Sequence, residues 1–183
     1  MRNVPTLEQF RAIVTDVRSQ KFNRDAKDSA DFLEFLGLAG LGQAEASALI
    51  VDDVDWGRER LRIRRQKTSA VYFVPIYHHL RPFLEKLLQE LPATPLPEQK
   101  VFNIQDGKKA LAAACLRLKY KKFTQRNLRQ ILIRRLWQSG VDYKLISKWQ
   151  GHQDGGKLIL DTYTEVFGDD DAEYEKSQLS KVK

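Results

Sequence analysis

The sequence predicts an α+β domain that is mostly helical and contains one small β-hairpin sheet. Apolar residues recur at helical spacing through most of the 183 residues, whereas residues 61–76 alternate apolar with basic or polar side chains. A composition of 42% hydrophobic and 30% charged residues is typical of a globular protein. A chain of this length can bury one substantial core, so we expect a single domain.

The first third of the chain is predicted to form three helices. Thr6 is a suitable N-cap for a helix that runs to about Arg18, because apolar residues follow it at intervals of three and four. An apolar run over residues 30–38 predicts a second, largely buried helix that ends at Gly40. Residues 43–49 are predicted to form a short third helix.

The middle of the chain is predicted to form the sheet, and the remainder is predicted to be helical. A turn at 54–57 leads into a hairpin that reverses at 66–69 and closes at Pro75. A short extended piece is expected at 101–102, after a proline-containing loop at 92–97. Further helices are predicted at 79–91, 108–118, 124–139, 141–149 and 157–167.

Positive charge is concentrated in one part of the chain. The net charge is +7, yet residues 108–148 alone carry twelve basic residues against one acidic residue, a net of +11. A solvated helix face is the ordinary explanation of lysine runs. Segregated charge on this scale also attracts a polyanion, and we favour nucleic acid because the basic hairpin flanks the same region.

Other features exclude several classes of protein. Cys115 is the only cysteine, which excludes an internal disulfide and a cysteine-built zinc site, and its apolar surroundings predict a buried side chain. No apolar run is long enough to span a bilayer, and the N-terminal residues lack a signal-peptide core. We therefore expect a cytoplasmic protein with no metal or other cofactor.

Three residues in the C-terminal half have side chains suited to phosphodiester cleavage. The phenolate of Tyr163 can attack a phosphodiester and hold the strand end as a phosphotyrosine. Negative charge builds up in that reaction, and the planar fork of Arg129 can bind two phosphate oxygens at once. His152 can donate a hydrogen bond or shuttle a proton. Each residue alone is more often part of ordinary packing, so the argument depends on the motifs around them.

Those motifs follow one another in a familiar order. The series resembles the catalytic domain of the tyrosine recombinases, or phage integrases, whose pattern is Thr-Gly-Leu-Arg-x-x-Glu, Lys-Thr before Val-Pro-Leu, His-x-x-Arg, Gly-Val-Asp, Leu-Gly-His and Tyr. The corresponding segments here are Ala39-Gly40-Leu41-Gly42-Gln43-Ala44-Glu45, Lys67-Thr68 before Val74-Pro75-Ile76, Arg126-Asn127-Leu128-Arg129, Gly140-Val141-Asp142, Gln150-Gly151-His152 and Tyr163. The resemblance implies a helical catalytic domain with a small sheet.

The resemblance also implies a role for each matching residue. Tyr163 would be the nucleophile, and Arg129 would clamp the scissile phosphate. His152 would donate a hydrogen bond to a non-bridging oxygen, and Lys67 would protonate the leaving 5′-oxygen from the hairpin. The function implied is site-specific DNA recombination or integration, as in mobile elements, by strand cleavage and rejoining through a phosphotyrosine.

Two catalytic positions depart from the family pattern. Gly42 replaces the first arginine, and Arg126 replaces the histidine of His-x-x-Arg. Loss of one preorganised cation should slow such a reaction roughly 100- to 1000-fold. Arg126 lies one helical turn from Arg129 and could supply part of the charge, although a guanidinium cannot act as a base. Gly42 could instead be required for a positive φ angle, where an arginine would strain the turn.

These departures leave two alternative functions open. The chain could be a DNA-binding domain of the same lineage whose catalysis is impaired, and Gly42 and Arg126 favour that interpretation. It could also be a basic helical module that binds RNA or a protein, but the ordered motifs would then be a coincidence. The expected partner is double-stranded DNA, with self-assembly on DNA and no membrane contact. The residues expected to bind DNA are Arg64, Arg65, Lys121, Lys122 and Arg134.

The domain organisation follows from the same comparison. Residues 1–167 are expected to form one catalytic-type domain, and residues 168–183 a polar, charged tail. The N-terminal core-binding domain that usually accompanies this family is expected to be absent.

Overall fold

The computed structural model describes residues 4–65, 68, 70–92, 95–152, 154–163 and 179, with the backbone alone for residues 161–163. Within these residues the chain forms eight α-helices, one turn of 3-10 helix and a three-stranded antiparallel sheet. The predicted α+β class is therefore confirmed. No described helix is both long enough and apolar enough to cross a bilayer.

Three helices open the fold, and their ends follow from individual residues. They are α1 (Leu7–Arg18), α2 (Ala26–Ala39) and α3 (Gln43–Ser47). The hydroxyl of Thr6 accepts a hydrogen bond from the backbone N–H of Gln9 at 3.1 Å, which confirms the predicted N-cap. Gly40 ends α2 with a φ of 66°, and a Cβ there would lie 2.8 Å from the Leu132 side chain. Glycine is required at this point because the chain turns in the left-handed region under a neighbouring helix.

The sheet has one more strand than the predicted hairpin. Its strands are β1 (Val54–Asp55), β2 (Arg60–Arg64) and β3 (Val71–Pro75), in the order β1-β2-β3. In the β2–β3 register Leu61 faces Val74 and Ile63 faces Tyr72, so apolar side chains cover the inner face. A strand of two residues is too short for a periodic signal, so the sequence indicates only a turn where β1 lies.

The arginines of β2 lie on the outer face of the sheet, next to three aspartates. Asp53 is only 2% exposed and pairs with both Arg62 and Arg64, each at 2.9 Å. Asp52 also pairs with Arg62 at 2.8 Å, and the Asp55 carboxylate accepts from Arg60 at 3.4 Å. Much of the positive charge that the sequence places on the hairpin is therefore neutralised within the domain.

Five helices complete the described chain: α4 (Arg81–Gln89), α5 (Lys108–Arg117), α6 (Gln125–Gln138), α7 (Tyr143–Trp149) and α8 (Lys157–Tyr163). The helix predicted from residue 79 begins at Arg81, with Pro82 in its first turn, where proline is tolerated. The extended piece predicted at 101–102 is not a strand. A single bridge joins Ile50 to Lys100 there. The predicted end of the last helix lies outside the described residues.

Two apolar clusters hold these elements together. The larger joins α1, α2, the sheet, α4, α5 and the first half of α6, and it includes the buried Cys115 as predicted. The smaller consists of Ile133, Trp137, Ile146 and Ile159, and it fixes α7 and α8 against the second half of α6. Because α6 belongs to both clusters, it joins α7 and α8 to the main core, and its N-terminal half is fixed by the larger cluster.

Candidate catalytic and DNA-binding site

A cavity of about 830 Å³ opens beside the N-terminal half of α6. Its apolar wall includes Leu111, Phe123 and Ile133. His152 and Gly42 line the same cavity. Five basic side chains line it as well: Lys108, Lys109, Lys122, Arg126 and Arg129. A space with this lining suits a phosphate-bearing ligand, because several positive charges converge on it from separate helices.

The start of α6 brings two arginines to this cavity. The Thr124 hydroxyl accepts from the backbone N–H of Asn127 at 3.3 Å, and the Asn127 side chain accepts from the Thr124 N–H at 2.8 Å. This capping box begins the helix just before Arg126, so Arg126 and Arg129 lie one turn apart. Arg126 is exposed and Arg129 is half-buried, and the positive end of the helix dipole adds to both charges.

Arg129 is held in place by the loop that follows α7. Its Nε donates to Oε1 of Gln150 at 2.8 Å, and its Nη2 donates to the backbone oxygen of Gln150 at 3.0 Å. The same Nη2 lies 3.4 Å from Nε2 of His152. The two residues that the sequence assigns to the phosphate are therefore neighbours.

Gly151 lets the chain turn at this point. Its φ angle is +66°, and a Cβ there would lie 2.7 Å from the ring of Tyr72 on β3. The backbone N–H of His152 then donates back to Ser147 at 3.0 Å. Beyond this turn the imidazole of His152 lies beside Arg129 and lines the cavity.

The environment of His152 favours the neutral ring. Burial lowers the pKa of His152 below its ordinary value, and the nearby charges of Arg129 and Arg65 lower it further, while Asp154 opposes them. A guanidinium can only donate, so Nε2 of His152 accepts from Arg129 and the ring proton resides on Nδ1. Among the residues that the structure describes, Nδ1 has no hydrogen-bond partner.

The side chain of Tyr72 also lies near these groups. Burial raises its pKa to about 12, and the charges of Arg129 and Arg65 only partly oppose that rise. Its ring packs against Gly151. A phenol in this state is a poor nucleophile at neutral pH, since almost none of it is ionised.

Gly42 borders the same site and has an ordinary backbone. Its φ angle is −74°, so the suggestion that glycine is needed there for a positive φ is wrong. A Cβ at position 42 would lie 3.8 Å from Nη1 of Arg129 and 2.3 Å from Oε2 of Glu45. The nearest obstacle is the end of a flexible carboxylate side chain, which can move aside.

The model of the phage integrase family matches residues 5–168, which is most of the chain. The chain belongs to the phage integrase family. No curated protein matches its sequence.

Solved structures of other phage integrase family members share the fold. The XerA recombinase matches with a TM-score of 0.70 and 15% identity, over 92% of this chain and 65% of that one. The Tn1549 transposon integrase, in complex with transposon right end DNA, gives 0.69 and 15%, over 88% and 61%. A lambda integrase dimer bound to a COC' core site gives 0.65 and 14%, over 84% and 59%. The chain thus spans less than two thirds of the length of each.

The structure of this phage integrase family member describes only part of the predicted catalytic set. It brings Arg129 and His152 together and places Arg126 on the same cavity. Lys67 lies outside the described residues. Tyr163 is the last described residue of α8, and its side chain also lies outside the described part of the chain. Of that helix, Leu158 and Ile159 line the cavity.

The residues predicted to bind DNA occupy different surroundings. Arg64 is paired with the buried Asp53, whereas Arg65 is half-buried at the end of the hairpin. Lys122 lines the cavity. Lys121 is exposed, and Arg134 is half-buried on α6.

Sequence reasoning missed two residues of this site, Gln150 and Tyr72. A polar residue where the family pattern has leucine was the available signal for Gln150. Tyr72 gave no signal, because its contact with Gly151 depends on how α7 packs against β3.

Proposed function

We propose that this chain breaks and rejoins DNA strands through Tyr163 in site-specific recombination or integration. The observation that carries the proposal is the contact between Arg129 and His152 on the wall of a cavity rimmed by lysines. A phosphodiester there would meet the two groups that its transition state needs, a fixed cation and a hydrogen-bonding imidazole.

The reaction proceeds by exchange of one ester for another. The phenol of Tyr163 gives up its proton to water as its oxygen attacks the phosphorus, a bond forms to that oxygen, and the bond to the 5′-oxygen breaks. Lys67 gives that oxygen its proton, and Arg129 and Arg126 balance the charge on the non-bridging oxygens. The released 5′-hydroxyl of another strand reverses the steps, so no external energy source is needed.

Two observations support Tyr163 as the nucleophile. Tyr72 is near Arg129, but burial keeps its phenol protonated. Tyr163 ends α8, whose preceding turn contributes Leu158 and Ile159 to the cavity. The helix that carries Tyr163 therefore borders the cavity.

Double-stranded DNA is the proposed partner. The cations around the cavity suit a phosphate backbone, and the Tn1549 integrase and lambda integrase structures are described as DNA complexes, the latter as a dimer. By analogy we extend DNA binding and self-assembly on DNA to this chain, acting in the cytoplasm and without a membrane.

A second function is favoured by Gly42 and Arg126. With one cation missing and no histidine at position 126, the domain could bind DNA while cleaving it slowly or not at all. In this second function the cavity and the cations around it still serve as a DNA-binding surface.

One experiment separates the two. The protein is incubated with a library of random-sequence duplexes that each carry a nick, so that cleavage near the nick releases a short fragment and traps the covalent complex. Adducts that resist detergent are collected, the DNA is sequenced, and the modified residue is found by mass spectrometry. Tyr163→Phe and Tyr72→Phe are the matched variants.

We expect adducts on Tyr163 with the wild type and with Tyr72→Phe, and none with Tyr163→Phe. Salt-sensitive DNA binding without adducts would favour the impaired DNA-binding domain. If the protein binds no duplex at all, both functions are wrong.

A further inference from the structure

Gln150 contacts Arg129 in two ways at once. Its side-chain Oε1 accepts from Nε at 2.8 Å, and its backbone oxygen accepts from Nη2 at 3.0 Å. Nε and Nη2 form one edge of the guanidinium, so a single residue engages that whole edge. The Nη1 side of the group faces Gly42, where a Cβ would lie 3.8 Å away.

Gln150 is itself fixed by its surroundings. It is fully buried, and its backbone N–H donates to Ile146 at 3.0 Å at the end of α7. Its Nε2 atom has no hydrogen-bond partner among the described residues and lies against Gly40, whose Cβ would be 3.0 Å away. An amide buried with half of its hydrogen bonds missing is costly, so packing alone does not explain a glutamine here.

We infer that Gln150 is a positioning residue that holds the Arg129 guanidinium with its Nη1 side towards position 42, ready for the scissile phosphate. This inference rests on the proposed function. A leucine, as in the family pattern Leu-Gly-His, has no atom that could accept from Nε. The amide is neutral, so it fixes the direction of the fork and leaves its full positive charge for the phosphate.

Fixing the Arg129 guanidinium matters most in a site that lacks the first arginine of the family pattern. A transition state is stabilised most by a cation that does not have to reorient during the reaction. Gly42 removes the neighbour that would share this task with Arg129. Holding Arg129 by its inner edge keeps it in place where Gly42 offers no side chain that could limit its movement.

The test uses two variants and one control. Gln150→Met keeps the length of the side chain but removes the acceptor, whereas Gln150→Glu keeps the shape and the acceptor. Gln138→Met makes the same change at an exposed position near the end of α6. Thermal unfolding first establishes that all four proteins are folded.

The first readout does not depend on catalysis. Hydrogen exchange of the Arg129 Nε–H is followed by ¹H–¹⁵N NMR, because a hydrogen-bonded Nε–H exchanges slowly. We expect slow exchange in the wild type, Gln150→Glu and Gln138→Met, and fast exchange in Gln150→Met. Unchanged exchange in Gln150→Met would overturn the inference.

The second readout is the rate of adduct formation on a trapped nicked duplex, measured beside the dissociation constant for the same DNA. We expect Gln150→Met to slow adduct formation about 10- to 100-fold, as for a misplaced catalytic group, while DNA binding changes little. Gln150→Glu should recover part of the loss, and Gln138→Met should behave as the wild type. Fast exchange without a slower reaction would overturn the positioning role, whereas a wild type without adducts contradicts the proposed function itself.

Discussion

Nη2 of Arg129 lies 3.4 Å from Nε2 of His152, and in this contact the imidazole accepts. The arrangement fits a neutral ring and excludes the imidazolium, which has no acceptor nitrogen. A phosphate placed between the two residues would reverse the preference, since an anion stabilises the protonated ring.

The first prediction concerns the protonation of His152 in the free protein. The pKa of His152 lies below 6.5 in the free protein, so its neutral form contributes stability above pH 6.5 that is lost as the pH falls through the lowered pKa. We expect His152→Gln to reduce the loss of stability between pH 7.5 and 5, measured by urea unfolding. The control is His78→Gln, the same substitution at an exposed position.

The same reasoning predicts proton uptake on DNA binding. DNA affinity of the wild type should rise as the pH falls from 7.5 to 6, and it should rise less in His152→Gln. Fluorescence anisotropy with a labelled duplex at fixed ionic strength measures this. Equal pH dependence in both proteins would contradict the placement of His152 beside a phosphate.

The second prediction concerns the turn before His152. Gly151 and Gly155 both have φ near +66°, but a Cβ at 151 would meet the Tyr72 ring at 2.7 Å, while one at 155 would have nothing within 4 Å. Both alanine variants should suffer backbone strain of about 1–3 kcal/mol in unfolding free energy. Gly151→Ala should lose more unfolding free energy than Gly155→Ala because of the clash with the Tyr72 ring. It alone should also lose adduct formation, because it displaces His152.

Urea unfolding of the two variants, alone and combined with Tyr72→Ala, measures the clash separately from the strain. Removing the ring should restore part of the stability of Gly151→Ala and none of that of Gly155→Ala. Equal losses in the two glycine variants would mean that the ring moves aside freely.

The third prediction addresses the paired arginines of the sheet. Asp53 is 2% exposed and accepts from Arg62, Arg64 and the backbone N–H of Ile50. Asp53→Ala should cost about 2 kcal/mol of unfolding free energy, a value limited by the partial exposure of both arginines. The more exposed Asp52 pairs with Arg62 alone, and Asp52→Ala should cost less than about 1 kcal/mol. Urea unfolding compares the two, and similar losses would count against a special role for Asp53.

The fourth prediction concerns salt. Lys121, Lys122 and Arg134 belong to the basic segment beside the cavity. Replacing all three with alanine should reduce the slope of log affinity against log salt by up to about 2.7, roughly 0.9 for each phosphate that the protein no longer neutralises. The matched control removes three cations that lie outside this basic segment, Arg11, Lys21 and Lys86, and should leave the slope nearly unchanged. Equal slopes for the two triple variants would show that DNA binds elsewhere.

The fifth prediction concerns the two departures from the family pattern. Gly42→Arg should fold normally, because the φ angle is ordinary and the atom nearest to a Cβ there, Oε2 of Glu45 at 2.3 Å, is the end of a flexible side chain. Combined with Arg126→His it should raise the rate of adduct formation roughly 100-fold, since it restores a cation and a titratable group. Arg126→Ala alone should abolish cleavage, and Arg126→His alone should not improve it. If Arg126→Ala cleaves as fast as the wild type, Arg126 does not compensate for the missing arginine.

Much of the fold could be predicted because local chemistry decides it. Thr6 and Thr124 cap their helices through their own side chains, and Gly40 ends α2 because of its backbone, so these boundaries need no knowledge of distant residues. The alternation in β2 and β3 likewise gives the buried face of the hairpin directly.

The details of the site could not be predicted in this way. The contact between Arg129 and Gln150 joins two helices, and it exists because α7 packs against α6 and β3. Counting charges along the sequence overstates the positive charge that the hairpin offers to a ligand. The fold pairs Arg62 and Arg64 with Asp53, and the sequence alone does not show this pairing. The sequence shows which residues are available, and only the packing shows which of them are already engaged.

The paired arginines of the sheet also affect how the protein would be oriented as it approaches its proposed DNA ligand. With Arg62 and Arg64 neutralised by Asp52 and Asp53, the unbalanced positive charge of the described chain is concentrated around α5, α6 and α7. In the field of the proposed DNA ligand, such a one-sided distribution would produce a torque that turns the cavity towards the DNA during the approach. A larger fraction of encounters would then have the productive orientation. The association rate should therefore respond to ionic strength more strongly than the dissociation rate does.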